Sequence, residues 1–215
     1  LQPIRCAKTM SLSRSSRHIC LTLMETGCMA EPLSALGDHP VAPQLANAMI
    51  TLNEVHPFSL IQIAAWPDTI ANAATYGAKL AGSEQAPGAG QSTAGQRGTL
   101  LRIEPLKWWM ISDRPQADCP DLSSDTGATL NLSDAHTWIK ISGAKAETLL
   151  NHFLPLDLRK GAFPIGSVAS TAFHHVGVKL WRDTAGYNLL IPRSFARSLF
   201  EHLMETARQY RESSD

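Results

Sequence analysis

The stretch WIKISGAKAETLLNHFLP, residues 138–155, decides the fold of this chain. It opens with a short strand-like run of alternating side chains, which Ser142 and Gly143 end. The apolar residues that follow recur at helical spacing, and Pro155 ends the predicted helix. These apolar residues are Ala146, Leu149, Leu150 and Phe153. The stretch therefore predicts a strand followed directly by a helix.

Downstream of this stretch the sequence predicts more strands and one closing helix. Residues 167–173, 175–182 and 187–191 read as three strands, and 183–186 forms a hairpin turn between the last two. The closing helix is predicted by four apolar residues at regular spacing: Phe195, Leu199, Leu203 and Ala207. Together with a strand at 128–132, antiparallel pairs that alternate with helices predict an α+β fold, with antiparallel sheets and helices packed on them.

The upstream half carries the same kinds of element. Residues 58–63 predict a short strand, and Pro67 suits the first turn of a helix over 68–80. Residues 99–104 and 107–112 predict two further strands that turn at Pro105. The first half is thus also of mixed α and β composition.

The segment between the predicted helix and these two strands, residues 81–98, is rich in glycine and holds almost no large apolar side chain. It predicts a long flexible loop. Its glycines do not follow the phosphate-binding pattern, because no Lys-Ser or Lys-Thr pair follows the last of them. We therefore expect no phosphate site there.

Two adjacent tryptophans, Trp108 and Trp109, lie on the strand predicted over 107–112. Neighbouring residues of a strand point to opposite faces of the sheet. We therefore expect one indole in the core and the other against a helix, a partner or water.

A polar segment with prolines, residues 113–126, marks the main internal boundary. The predicted organisation is a leader or disordered tail over 1–30, an N-terminal α+β half over 31–112, this linker, and a C-terminal α+β half over 127–211.

The first thirty residues are rich in Arg and Ser and poor in acidic residues. This composition fits an organelle transit peptide, but we prefer the interpretation that the stretch before Met29 is extra translated sequence or a disordered tail. His18, Cys20 and Cys28 lack the short Cys-x-x-Cys arm typical of a metal site. Only Cys119 lies outside this stretch, so the body of the chain is not a disulfide scaffold.

Overall charge and hydropathy exclude several classes of function. Nineteen basic and nineteen acidic side chains give a formal net charge of zero, which removes the electrostatic attraction that nucleic-acid binding needs. No apolar run reaches the roughly 18 residues of a membrane-spanning helix. We expect a cytoplasmic protein that binds neither nucleic acid nor membrane.

Several segments in the second half match a known family in residues, order and spacing. They are NLSDAHT at 131–137, ISGAKAETLL at 141–150, LPLDL at 154–158, AFP at 162–164 with Gly166, the strand 176–181, and IPRSFA at 191–196 after Tyr187. This pattern resembles the gamma subunit of heterotetrameric sarcosine oxidase. The resemblance covers roughly residues 31–211 and is most specific over about the last eighty. The unit at 141–157 is also similar to the wider superfamily of folate-dependent aminomethyltransferases, which implies one lobe of that fold.

The resemblance implies a non-catalytic gamma subunit within a flavin-dependent complex. Such a complex would oxidatively demethylate sarcosine or a related N-methyl amino acid and pass the one-carbon unit to tetrahydrofolate. The alpha, beta and delta subunits would carry FAD, FMN, NAD, tetrahydrofolate and zinc, and this chain would bind no cofactor alone and dock mainly on the large alpha subunit. The alternative is a stand-alone folate-binding protein similar to the aminomethyltransferases.

Local patterns that resemble catalytic or metal sites have simpler explanations. His174 and His175 are consecutive, so on a strand they point to opposite faces and cannot easily share one metal ion. Ser133, Asp134 and His136 lack the separate orienting elements of a triad, and a turn-capping Ser-Asp pair explains them better. We therefore expect no catalytic, cofactor or metal-binding residues in this chain.

Instead, we expect a docking surface. Few charges and a pair of adjacent tryptophans predict an exposed apolar patch that a partner covers. The candidate interface residues are Trp108, Trp109, Trp181 and Arg193. Arg193 could also clamp a carboxylate, although a surface or interface ion pair is the better interpretation.

Overall fold

The computed structural model of the chain describes residues 33–37, 49–114 and 122–212. Ten strands lie in these ranges: β1 Thr51–Val55, β2 Ser59–Ala65, β3 Ser92–Ala94, β4 Thr99–Glu104, β5 Lys107–Ser112, β6 Gly127–Asn131, β7 His136–Ser142, β8 Val168–Phe173, β9 Val176–Arg182 and β10 Tyr187–Pro192. Three α-helices accompany them: α1 Ile70–Ala81, α2 Ala146–Asn151 and α3 Ala196–Glu212.

The strands form two antiparallel sheets of five strands each. Sheet A has the order β1-β7-β10-β9-β8, and sheet B has the order β3-β4-β5-β2-β6. Every pair in both sheets is antiparallel. The predicted α+β class with antiparallel sheets is confirmed.

The two halves of the chain share one connectivity. The order β2, α1, β3, β4, β5 in the first half corresponds to β7, α2, β8, β9, β10 in the second, and each set places its strands in the same spatial order. The strand that precedes each set is exchanged, since β1 pairs with β7 and β6 pairs with β2. Each half predicted on either side of residues 113–126 therefore contributes one strand to the sheet of the other half.

The sheets and helices stack as four layers. Sheets A and B face each other across a shared apolar layer that includes Trp109 from sheet B and Trp138 and Trp181 from sheet A. α1 covers the other face of sheet B, and α2 and α3 cover the other face of sheet A. Both faces of each sheet are consequently buried, which explains why many of the strands read as nearly continuous apolar runs.

α1 confirms the helix predicted over 68–80. Ala73, Gly77 and Leu80 face sheet B and are buried. Because Gly77 has no side chain, the helix packs closely on the sheet, and an added Cβ would lie 3.2 Å from a methyl carbon of Leu100. Gly82 ends the helix in the left-handed region with φ of 70° and donates its N–H to the last turn.

α2 and α3 confirm the helices predicted in the second half. Of the four residues that predicted α3, Leu199, Leu203 and Ala207 are buried, whereas Phe195 lies in the preceding turn and stays partly exposed. No helix within the described residues is long and apolar enough to cross a membrane.

The segment 81–98 differs from the long loop that its glycines predict. It contains β3, which pairs with β4 and lies against the end of sheet A. Backbone hydrogen bonds from Ser92 N to Gly166 O (2.7 Å) and from Val168 N to Gly90 O (2.8 Å) join the two sheets there. The segment is thus the structural link between the sheets on one side of the fold.

The prediction that His174 and His175 are strand residues is wrong. They form the two-residue turn between β8 and β9. His174 has a positive φ of 53°, which matches the twist that a tight hairpin turn requires. The turn leaves the two imidazoles outside the regular sheet, so the argument from opposite strand faces does not apply to them.

Candidate functional site

Trp108 lies on the face of sheet B that α1 covers. Its exposed fraction is 1%, and it packs with Ile63, Leu80 and other residues of that core. The guanidinium of Arg102 lies 5.0 Å from the centre of its ring, in a cation–π contact. Its Nε1 has no hydrogen-bond partner among the described residues. Trp108 therefore acts as a core residue of the first half.

Trp109 points the opposite way, into the layer between the sheets. It is 5% exposed, and its Nε1 donates a hydrogen bond of 3.1 Å to Oε1 of Gln62. The ring of His136 meets it edge-on at 5.0 Å, and Nζ of Lys179 lies 5.6 Å from its centre. Trp109 thus joins a small polar cluster to the apolar layer.

This cluster holds two titratable groups whose pKa values are lowered. Burial lowers the pKa of His136, more than the nearby carbonyl of Leu132 raises it, and the charge of Lys179 lowers it further. Burial also lowers the pKa of Lys179, which donates a hydrogen bond of 2.8 Å to Oγ of Ser170. The site consequently favours a neutral imidazole beside a partly desolvated ammonium group.

Trp181 lies in the same layer. Its exposed fraction is 2%, and its ring centre is 5.6 Å from that of Trp138. Trp138 in turn donates its Nε1 hydrogen bond to Oδ1 of buried Asn188 at 3.0 Å. Asn188 donates to Oδ2 of Asp183, whose other oxygen accepts the amides of its own turn. A chain of satisfied hydrogen bonds therefore anchors Trp138.

For the two adjacent tryptophans, the predicted orientation is confirmed, but the predicted exposure to a partner is wrong. Trp108 and Trp109 do point to opposite faces, as the pleat requires. The expectation that a tryptophan of this set is exposed for a partner is wrong, because Trp108, Trp109 and Trp181 are all buried within the chain itself. The physical reason is the four-layer stacking, which covers both faces of β5 and of β9.

Arg193 begins the 3₁₀ turn before α3 and is half-buried. Its Nη2 donates a hydrogen bond of 2.6 Å to the carbonyl oxygen of Leu33. Among the described residues it forms neither an ion pair nor a contact with a carboxylate. Arg193 thus tethers the segment 33–37 to the start of α3.

The large apolar side chains that are exposed differ from those predicted. Trp66 is 53% exposed and Leu130 is 54% exposed. Trp66 donates its Nε1 hydrogen bond to Ser124 O at 2.8 Å, so it lies beside the start of β6. Leu33, Ile165 and Phe195 are also exposed. Sequence reasoning missed Trp66 and Leu130, although the position of Trp66 directly before Pro67 marks the end of a strand.

A groove opens beside the layer between the sheets. One cavity of about 360 Å³ is lined by Asn53, Lys140, Asp183 and Asn188, and a second of about 220 Å³ continues from Lys140 to Arg114. Nζ of Lys140 lies 4.8 Å from the ring centre of Trp138. The groove is lined by the ammonium group of Lys140 and by the carboxylate of Asp183, which its own turn holds in place.

Ser133 and Asp134 lie in a turn, as predicted, but the side chain that caps this turn is that of Asn131, whose Oδ1 accepts the N–H of Ser133 at 3.0 Å. This 3₁₀ turn lies between β6 and β7, and Oγ of Ser133 accepts the N–H of Leu60 at 3.0 Å. The same hydroxyl donates to Oδ1 of Asn131 at 2.7 Å, while His136 faces Trp109. These three residues are not arranged as a nucleophile, a base and an orienting acid.

The described residues contain no group of three or more His, Cys, Asp or Glu side chains that could hold a metal ion. The candidate metal ligands His18, Cys20 and Cys28 lie outside the described residues, as does Cys119.

Comparison with known proteins identifies the fold. No family model matches the sequence, and no curated protein matches it. Among solved structures, a chain of the heterotetrameric sarcosine oxidase from Corynebacterium sp. U-96 is similar, with a TM-score of 0.67 and 19% identity over 79% of this chain and 89% of that chain. The glycine cleavage system aminomethyltransferase T from Bartonella henselae is also similar, with a TM-score of 0.53 and 17% identity over 74% of this chain. The match spans 46% of that enzyme, so this chain has the fold of about half of an aminomethyltransferase.

Proposed function

We propose that this chain is the gamma-type, non-catalytic subunit of a flavin-dependent complex that resembles heterotetrameric sarcosine oxidase. The observation that carries this proposal is the similarity in fold to one chain of such a complex, which spans 79% of this chain and 89% of that chain. The family resemblance of residues 131–196 supports the same assignment. The aminomethyltransferase likeness, in contrast, spans less than half of that enzyme.

The filled interior of the fold supports a structural role. The layer between the sheets, where a ligand would be most enclosed, is occupied by Trp109, Trp138 and Trp181 of the chain itself. FAD, FMN, NAD, tetrahydrofolate and zinc would then belong to the alpha, beta and delta chains, and the largest of these chains would provide the main contact. Oxidative demethylation of sarcosine or a related N-methyl amino acid would take place in those chains.

Purification of the tagged chain from its native source tests this proposal. We expect it to be recovered in a stable complex with larger chains that has flavin absorbance and oxidises sarcosine or a related amine. The isolated chain, produced alone, should be colourless after desalting. If the chain from its native source is recovered free of any flavoprotein, the proposal is wrong.

The same preparation distinguishes the stand-alone alternative. A protein that functions alone as an aminomethyltransferase-like enzyme would bind tetrahydrofolate as an isolated chain, and calorimetry measures such binding directly. We expect no heat of binding for the isolated chain. Saturable binding together with transfer of a one-carbon unit would support the alternative function.

A further inference from the structure

The two sheets have four edges, and three of them are protected. β3 and β8 lie on the side where the sheets are joined, through the bridge between Gln91 and Ser167. β1 carries Glu54, and Oε2 of this residue accepts a hydrogen bond of 2.6 Å from Ser34 in the segment 33–37. Natural sheets protect edges in these ways, by short strands, charges and covering segments, because a free edge pairs readily with another strand.

β6, the fourth edge, has none of these protections among the described residues. Its sequence GATLN contains no charge and no proline. It pairs with β2 on one side, through Ile61↔Asn131 to Ala65↔Gly127, and with no other described strand. Since Leu132 N donates to Leu60 O, the alternation of an antiparallel ladder directs the backbone groups of Thr129 and Asn131 away from β2. These groups are available to a further strand.

Exposed apolar side chains extend the β6 edge into a surface. Leu130 lies on the strand itself and Trp66 beside its start, and each residue is more than half exposed. Leu130 is opposite Gln62, which is the hydrogen-bond partner of Trp109. A segment that paired with β6 would therefore cover Leu130 and the open side of the apolar layer.

The charges around β6 define what can pair with it. Asp125 precedes the strand and Asp134 follows it, and Asp68 lies in the turn that Thr69 links to Thr126. None of these three carboxylates forms an ion pair with a described residue. A second copy of β6 in antiparallel pairing would bring Asp125 of one chain near Asp134 of the other, and like charges oppose that arrangement.

We infer that β6 is the docking edge of this chain, and that it accepts an extended, uncharged segment of the large partner subunit with Lys or Arg at its ends. This inference rests on the proposed function and adds the surface and the mode of association. Backbone hydrogen bonds from Thr129 and Asn131 would provide register, Leu130 and Trp66 would provide apolar contact, and the flanking aspartates would select basic ends.

The first test replaces Thr129 by proline in the complex from the native source. Proline removes the outward N–H and blocks strand addition, but the bonds to β2 are kept because this N–H does not point toward β2. We expect Thr129→Pro to weaken the affinity of the chain for the complex at least about tenfold. Gel filtration of the complex at increasing dilution measures this loss. Thr129→Ala, which keeps the N–H, is the matched control and should remain bound.

A second pair of variants does not depend on the backbone. Leu130→Asp should also cause loss from the complex, whereas Ile165→Asp, at a comparably exposed residue away from β6, should not. Circular dichroism of each isolated variant verifies that it is folded. Retention of both Thr129→Pro and Leu130→Asp in a flavin-containing complex would overturn the inference while leaving the proposed function intact; absence of any flavin complex with the wild-type chain would instead contradict the proposed function.

Hydrogen exchange of the isolated chain distinguishes other occupants of the edge. We expect the amides of Thr129 and Asn131 to exchange rapidly in the isolated chain and to be protected in the complex. Protection in a monomeric isolated chain would show that another segment of this chain covers β6. Protection that appears with a concentration-dependent dimer, and is lost in Thr129→Pro, would show a second copy there. Either result contradicts the inference.

Discussion

β1 and β6 occupy equivalent positions in the two halves, and they have opposite surroundings. Each strand comes directly before the set of four strands and one helix of its own half, and each pairs within the sheet of the other half. β1 buries Leu52 against the core beneath α2 and α3, and its Glu54 is bound by Ser34. β6 exposes Leu130 and carries no charge. Two strands in equivalent positions of the topology can therefore differ in exposure. The side chains of β1 and β6 and the segments beside them determine which of the two stays accessible.

The largest expected difference between the two strands is in the cost of removing their leucines. Leu52 is 1% exposed, so Leu52→Ala should reduce the free energy of unfolding by about 2–5 kcal/mol through lost burial and a residual cavity. Leu130→Ala in the isolated chain should cost less than about 0.5 kcal/mol. Urea denaturation measures both. Equal losses would show that β6 is covered as well as β1.

The next largest loss of stability is expected from a side chain added at Gly127, where the backbones of β6 and β2 lie close together. A Cβ added at Gly127 would collide with the carbonyl oxygen of Ala64, which belongs to the backbone and cannot move without disturbing the ladder. We expect Gly127→Ala to destabilise the chain by about 2 kcal/mol. Gly177 in β9 is the matched control, since nothing lies within 4 Å of an added Cβ there. Thermal unfolding of the two variants provides the comparison, and similar melting temperatures would contradict it.

Removing the hydroxyl group of the serine beside each exchanged strand should reduce the free energy of unfolding by a smaller amount, which again differs between the two strands. Ser133, just after β6, accepts the N–H of Leu60 at 3.0 Å, so Ser133→Ala leaves a backbone donor in a buried residue without that partner. This should cost about 1 kcal/mol. Ser34→Ala near β1 removes a more exposed hydrogen bond to Glu54 and should cost about 0.5 kcal/mol. Denaturant midpoints that fall in the reverse order would show that the β1 side is the more dependent on its serine.

The remaining comparison concerns pH and His136, the first residue of β7, which follows β6. Its pKa is lower in the folded chain than the ordinary value of 6.5, so the unfolded chain binds the proton more readily. Stability is therefore fully present above pH 6.5 and falls as the pH drops from there toward the folded-state pKa, by less than about 1.4 kcal/mol per pH unit. His136→Phe keeps a ring against Trp109 and should flatten this part of the profile. If the slope of stability against pH is the same in His136→Phe as in the wild-type chain, groups other than His136 cause it.

Local patterns predicted most elements, because they depend on neighbours in sequence. The helices α1 and α3, the strand before Gly143 and the opposite orientation of Trp108 and Trp109 follow from periodicity and pleat. The three tryptophans predicted to be interface residues are buried for a reason that local patterns do not contain. Whether a tryptophan is covered depends on the second sheet, which residue spacing within one strand does not reveal.

Elements that depend on distant partners were missed. β1 has the sequence TLNEV, with a charge and an amide, and it is held by pairing with β7 far along the chain. β3 has three residues within a glycine-rich segment and is fixed by its contacts with β4 and sheet A. Neither strand has a local signal strong enough to identify it, and consequently the sequence alone did not indicate the exchange between the halves.

The exchange of β1 and β6 has a consequence for synthesis on the ribosome. Sheet A needs β1 from the first half, and sheet B cannot be completed until β6 of the second half has emerged. Such distant pairings slow folding, because a long loop must close before the contacts form. Until β6 has been synthesised, β2 in the first half therefore lacks one of its two partner strands. An unpaired strand of this kind favours aggregation or chaperone binding. Separate expression of residues 31–112 would make that transient state permanent.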